Sequence, residues 1–118
     1  MVTPTLLGAY HSMKDYLKQV PKLPGCAFAD NDTIAIGVIK ALRESGYQIP
    51  EDISIIGVDD IPFSAIHSPS ISTMSIPKKL MGKLAIEYLK KTVEDNTFTN
   101  TKTRVGGSLI TRHSTRHK

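Results

Sequence analysis

The sequence predicts an α/β protein: a parallel sheet flanked by helices. Three observations carry that expectation. Helical and strand patterns alternate along the chain, and the strand candidates are too apolar to keep one face in water. Hydrophobic residues make up 40% and aromatic residues 6%, with no Trp, so the core falls to Ile, Leu, Val, Ala and Met. At 118 residues the chain fits one domain with a true core.

Leu6, Tyr10, Met13, Leu17 and Val20 recur at three- and four-residue steps, so 5–19 reads as an amphipathic helix stopped by Pro21 and Pro24. Residues 26–29 are a short apolar run between Pro24-Gly25 and Asp30-Asn31-Asp32, which predicts a buried strand. Ile34, Ala35, Val38, Ile39 and Leu42 stripe a second helix, with Asn31 or Asp30 as its cap and Gly46 as its stop. After a polar connection holding Pro50, the β-branched run 53–58 predicts a second buried strand. Pro62, with acidic residues just before it, opens a short helix through about His67.

Residues 71–74 read as a third strand. Pro77 opens the longest helical pattern, with Leu80, Met81, Leu84, Ala85, Tyr88 and Leu89 on one side, fading by Asp95-Asn96. Residues 103–105 and 108–111, around Gly106-Gly107, read as terminal strand pieces with a kink.

Parallel strands joined by right-handed crossovers bind ligands beyond their carboxyl ends. Asp30-Asn31-Asp32 and Asp59-Asp60 each follow an apolar strand, so both emerge at that edge. Asn31 reads first as a helix N-cap, and a polar ligand contact is the sharper alternative. Asp59 and Asp60 read as helix-dipole partners, while a general acid/base pair for hydrolysis would need a third group. A carboxylate facing an amide at a cleft suits sugar hydroxyls, because Asp accepts hydrogen bonds and Asn both accepts and donates.

Other chemistry is weakly supported. His11, His67, His113 and His117 do not form a metal set, and no phosphate-cradling Gly loop, Gly-x-Ser-x-Gly elbow or Cys/His dyad is readable, so neither metal nor cofactor is expected. Met74 and Met81 read as core fillers. Cys26 stands alone, which rules out an internal disulfide framework and predicts a buried thiol.

The formal net charge of +4 arises mostly at the end of the chain, where Arg112, His113, Arg116, His117 and Lys118 crowd. Lys78, Lys79, Lys83, Lys90 and Lys91 sit among apolar residues at helical spacing and read as a solvated face, without the recognition-helix pattern of a DNA-binding module. No stretch approaches a membrane span, and the N-terminal segment lacks a secretory signal, so a cytoplasmic location is expected.

The segment from Ala29 through Asp30-Asn31-Asp32-Thr33 to Gly37, the segment from Ile49-Pro50-Glu51-Asp52 to Gly57-Val58-Asp59-Asp60, then Ser72-Thr73, Gly82 and the run from Leu109 to Thr115 together resemble the LacI/GalR family in order and spacing. The resemblance implies a periplasmic-binding-protein-like type I fold, of which this chain is the C-terminal subdomain. In it, two α/β subdomains close around a small molecule, often a sugar or nucleobase, within a cytoplasmic homodimer. The resemblance assigns Asn31 and Asp59 to the effector cleft. It assigns Ile36, on the helix after Asn31, and Phe63 and Ile66, on the short helix, to the dimer surface.

The implied organisation is a partial effector-binding domain over 1–112, with a crossover helix at about 77–95, then a basic tail at 113–118. The family's DNA-binding head, hinge and most of its N-terminal subdomain have no counterpart in this sequence, so operator DNA would be reached only through that head. Val2-Thr3-Pro4 stands where many members carry an aromatic residue that stacks on the effector, and Ile76 replaces a common Gln. The expected function is the effector-binding and dimerisation portion of a ligand-responsive, sugar-sensing transcriptional repressor, not an enzyme. The alternative is a lobe of a transport-type periplasmic sugar-binding protein. A hydrolase using Asp59 and Asp60 is a third reading.

Overall fold

In a computed structural model that describes residues 5–20, 22–95 and 100–116, eight elements follow one another. They are α1 (Leu6–Leu17), β1 (Cys26–Phe28), α2 (Asp32–Glu44), β2 (Ser54–Val58), α3 (Pro62–Ile66), β3 (Ser72–Ser75), α4 (Lys78–Asp95) and β4 (Ser108–Ile110). Val2-Thr3-Pro4, Pro21, Asn96, His117 and Lys118, which entered the sequence reading, lie outside the described residues.

Local chemistry sets the helix boundaries. Thr5 caps α1, its Oγ1 accepting from the Gly8 amide at 3.0 Å, and Asn31 caps α2 in the same way. Gly46 follows the end of α2 at φ 89°, a left-handed position that an L side chain resists. Pro62 begins α3, whose first turn has no side-chain cap.

The sheet has the order β1-β2-β3-β4. The first three strands are parallel, as the expected parallel sheet has them, and the terminal strand β4 runs antiparallel to β3, so the sheet is mixed at that edge. Among the described residues α4 packs substantially on no other element, and β4, which follows it in the chain, lies beside β3 in the opposite direction. Residues 103–105, expected as strand, join no strand among the described residues, and Ser108–Ile110 forms the ladder with β3.

The core lies on one face of the sheet. Ile34, Ala35, Val38, Ile39 and Leu42 of α2 pack with Ala9 of α1 against Ile53, Ile55 and Ile71. The two helices approach closely at Gly37, where a Cβ would stand 2.3 Å from the Leu6 carbonyl oxygen. At the solvent end of this contact Tyr10 Oη donates to Glu44 at 2.6 Å, and Lys40 Nζ meets the other Glu44 oxygen at 2.6 Å. The hydrogen bonds from Lys40 and Tyr10 hold the Glu44 carboxyl below its ordinary range, and the bond to Glu44 raises Tyr10.

With one face covered, the other is open. Cys26 is an exposed free thiol and Phe28 is exposed, which corrects the expectation of a buried strand and a buried thiol. β1 is an edge strand whose alternate residues have no helix over them. Met81, expected in the core, is exposed along with Leu80, Ile86, Leu89 and Val93 on the unpacked α4, while Met74 is half-buried. The lysines at 78, 79, 83, 90 and 91 are solvated as expected, but so is the apolar side of the same helix.

The segment expected as a basic tail is anchored. Ser114 is fully buried, donates through Oγ to the Ile55 carbonyl at 2.6 Å and accepts from the Ser72 amide at 2.8 Å. Its own amide bonds to the Ser70 carbonyl at 2.9 Å, and its carbonyl takes the Ile55 amide at 2.8 Å. A small residue with both a hydroxyl and a free backbone thus satisfies groups on β2 and beside β3 that would otherwise be buried without partners.

Candidate functional site

The register of β1 on β2 pairs Phe28 with Ile56, and the Ala29 amide extends that ladder to the Ile56 carbonyl at 2.9 Å. Two adjacent parallel strands therefore deliver Asn31 and Asp59 to one edge.

Asn31 is the N-cap of α2. Its Oδ1 accepts from the Ile34 amide at 2.9 Å, so the plain structural role is real. Capping uses only the oxygen. Among the described residues the Asn31 side-chain NH2 has no acceptor, and it remains available as a donor beside the cleft edge.

Asp59 and Asp60 occupy successive left-handed positions, at φ 105° and 49°. Such geometry is costly for residues with a Cβ and must be held from outside. The Asp59 amide bonds to the Met74 carbonyl at 2.9 Å, and the Asp60 amide to Thr73 Oγ1 at 3.3 Å. Lys78 Nζ donates to the Asp59 main-chain oxygen from the start of α4. Arg112 Nη2 pairs with Asp60 Oδ1 at 2.6 Å while its Nη1 donates to the Ile71 carbonyl at 2.8 Å.

These bonds sort the carboxylates. Asp60 is occupied by Arg112. Asp32, fully buried in the first turn of α2, accepts from Thr73 Oγ1 at 2.6 Å with one oxygen and from Ser64 Oγ at 2.5 Å and the Ile61 amide at 3.1 Å with the other. Among the described residues the Asp59 carboxylate alone of these three has no hydrogen-bond partner, and it is half-buried at the edge. Asp60 is thus tied to Arg112 and is not a free second carboxylate beside Asp59.

The sequence places Asp32 in the run at the sheet edge, Arg112 in a terminal basic cluster and Lys78 on a solvated face, and gives none of them its partner. Asp32 was readable: positions 32, 35, 39 and 42 share one helix face, and the other three are core residues. A carboxylate on an apolar stripe demands internal donors. Arg112 gave no local signal, because its partner is 52 residues away.

Ile36, Phe63 and Ile66 come together. With Leu6 and Ile61 they line an apolar hollow of about 520 Å3 between the start of α1, α2 and α3. Phe63 is 65% and Ile66 77% exposed, although both are large and apolar. Among the described residues no group of three or more His, Cys, Asp or Glu could hold a metal ion. His113 Nδ1 instead lies 2.8 Å from Ser70 Oγ. No described helix is long and apolar enough to cross a membrane.

Comparison with known proteins places this geometry in context. Residues 2–115 match the family described as periplasmic binding protein-like domain. The HTH-type transcriptional repressor PurR of Vibrio atlanticus (strain LGP32) is 40% identical over 81 residues, covering 69% of this chain and 24% of the relative. The ribose operon repressor of Escherichia coli (strain K12) is 33% identical over 107 residues, 91% of this chain and 32% of the relative. A LacI family transcriptional regulator from Arthrobacter sp. FB24, solved in complex with lactose, superposes with a TM-score of 0.84 at 31% identity, covering 98% of this chain and 43% of that one. The chain thus spans about a quarter to a third of the length of these two curated relatives.

Proposed function

Since the chain belongs to the periplasmic binding protein-like domain family, as an effector-binding domain of the LacI/GalR type, we propose that it is the effector-sensing and dimerisation part of a ligand-responsive transcriptional repressor. One observation carries the site assignment: Asp32 and Asp60 are held by protein donors, whereas among the described residues the half-buried Asp59 carboxylate has no protein partner and lies one strand away from the unused amide of Asn31. A free acceptor beside a free donor fits a small polyhydroxylated effector, a sugar or related metabolite, and the lactose bound to the Arthrobacter regulator supports that class.

In this reading Asn31 and Asp59 orient the effector from one side of a cleft, and α4 crosses to the facing subdomain. Ile36, Phe63 and Ile66 form the dimer surface, since large apolar side chains lining one exposed hollow are what a self-complementary interface buries. The protein works in the cytoplasm, binds rather than transforms its ligand, and contacts operator DNA through a head domain. Effector and operator binding are then reciprocally coupled through a shift between two arrangements.

The test is a thermal-shift titration of the complete regulator with lactose, ribose and free nucleobases. A ligand that raises the melting temperature of the wild type and leaves Asp59→Ala, equally folded, unmoved is the expected result. An Asp59→Ala protein with the full ligand response overturns the site.

A further inference from the structure

We propose that Asp32 is a positioning residue that mechanically joins the Asp59-Asp60 turn to helix α3, so that a change at one is felt at the other. The proposal rests on the reading of Asp59 as an effector contact and α3 as part of the dimer surface, and it gives those two sites a shared internal joint.

The geometry is that of a junction rather than a cap. Asp32 sits in the first turn of α2, yet both of its oxygens point to other elements. Oδ1 accepts from Thr73 Oγ1 on β3 at 2.6 Å, and Oδ2 accepts from Ser64 Oγ at 2.5 Å and from the Ile61 amide at 3.1 Å, both at α3. The same Thr73 hydroxyl oxygen accepts the Asp60 amide at 3.3 Å. One fully buried carboxylate is therefore two hydrogen bonds from the turn and one from α3.

Its position is also wedged. A Cβ at Gly57, two residues before Asp59, would stand 2.2 Å from Oδ1, so the carboxylate lies directly on the β2 backbone. It cannot move far without moving that strand or releasing a donor. Buried and bonded at both oxygens, Asp32 has little freedom to move without breaking one of these bonds. Ser64 is buried beneath α3, whose other side chains Phe63 and Ile66 are exposed, so any displacement of the Ser64 hydroxyl is transmitted to the apolar surface.

The two arms can be cut separately. Ser64→Ala removes one donor on the α3 side, and Thr73→Val removes the hydroxyl on the turn side. Amide hydrogen exchange on the intact protein reads each arm from the far end and needs no ligand, so its outcome is independent of whether the effector assignment is right. With Ser64→Ala, exchange at the Asp60 amide should quicken about tenfold, equivalent to about 1.4 kcal/mol. With Thr73→Val, the Ile61 and His67 amides should quicken similarly. Thr73→Ser keeps the hydroxyl and should leave those amides at the wild-type rate. Acceleration confined to the side that was cut, or spread evenly over the core as a global loss of stability would give, overturns the proposal.

Discussion

Arg112 and Asp60 meet at 2.6 Å across the carboxyl edge of the sheet, each only 17% and 25% exposed. The pair settles which of two adjacent carboxylates is structural. Arg112 reaches Asp60 from beyond β4 and holds the Ile71 carbonyl with its second nitrogen, so the guanidinium ties the left-handed turn to the start of β3. Arg112→Ala leaves a half-buried carboxylate unpaired and should destabilise the fold by about 1–3 kcal/mol in denaturant titration. Lys at this position should restore only part of that, because it has no fork to bridge two acceptors.

The Asp59 backbone is strained, and among the described residues its carboxylate has no partner. At φ 105° a glycine relaxes the backbone, a gain of about 1–2 kcal/mol partly offset by the extra entropy of the unfolded chain. Asp59→Gly should therefore fold at least as stably as the wild type by thermal melting, yet show no effector-induced stabilisation. A fold that keeps a costly residue where a cheaper one fits is consistent with a binding role at that position.

Three glycines should respond to alanine in different ways, and unfolding titrations would rank them. Gly57→Ala drives a methyl onto the Asp32 carboxylate and should cost about 3 kcal/mol or prevent folding. Gly46→Ala has open space but a left-handed backbone, and should cost about 1–2 kcal/mol. Gly82→Ala meets neither obstacle within α4 and should stabilise by about 0.5–1 kcal/mol.

Ile66→Asp and Phe63→Asp test the apolar hollow. Both side chains are mostly exposed, so the monomer fold should hold with its circular dichroism unchanged. Sedimentation velocity should show the complete protein shifted from dimer towards monomer. An unshifted dimer would remove α3 from the interface.

The α1–α2 contact predicts opposite pH limits for one small cluster. The Glu44 carboxyl is lowered, first by Lys40 and then by Tyr10, so its contribution is intact above the ordinary carboxylate range and is lost as pH falls through the lowered value. Tyr10 and Lys40 are raised, each first by its hydrogen bond to Glu44, so theirs is intact below their ordinary values and is lost as pH rises through the raised ones. Glu44→Gln should flatten both limbs of the melting temperature against pH. The effect should be small and should shrink in high salt, because all three groups are exposed.

Much of this protein follows from sequence alone. The order of helices and strands, the cap at Asn31, the stop at Gly46 and the delivery of Asn31 and Asp59 to one edge all rest on local periodicity and on turn residues, which neighbours along the chain decide. The resemblance added the family, which the match over residues 2–115 supports.

Tertiary structure decided the rest. Whether Cys26, Phe28 and Met81 are buried depends on which sheet face and which helix side another element covers, and periodicity marks an apolar face without saying whether anything lies on it. The antiparallel direction of β4 is a matter of which strand it meets and from which end, which periodicity does not record. The division of labour among Asp32, Asp59 and Asp60 depends on donors 41 and 52 residues away, at Thr73 and Arg112. An isolated Asp is the same residue in all three places. Long-range hydrogen bonds give one a partner in the core and one a guanidinium, and among the described residues they leave the third open at the edge.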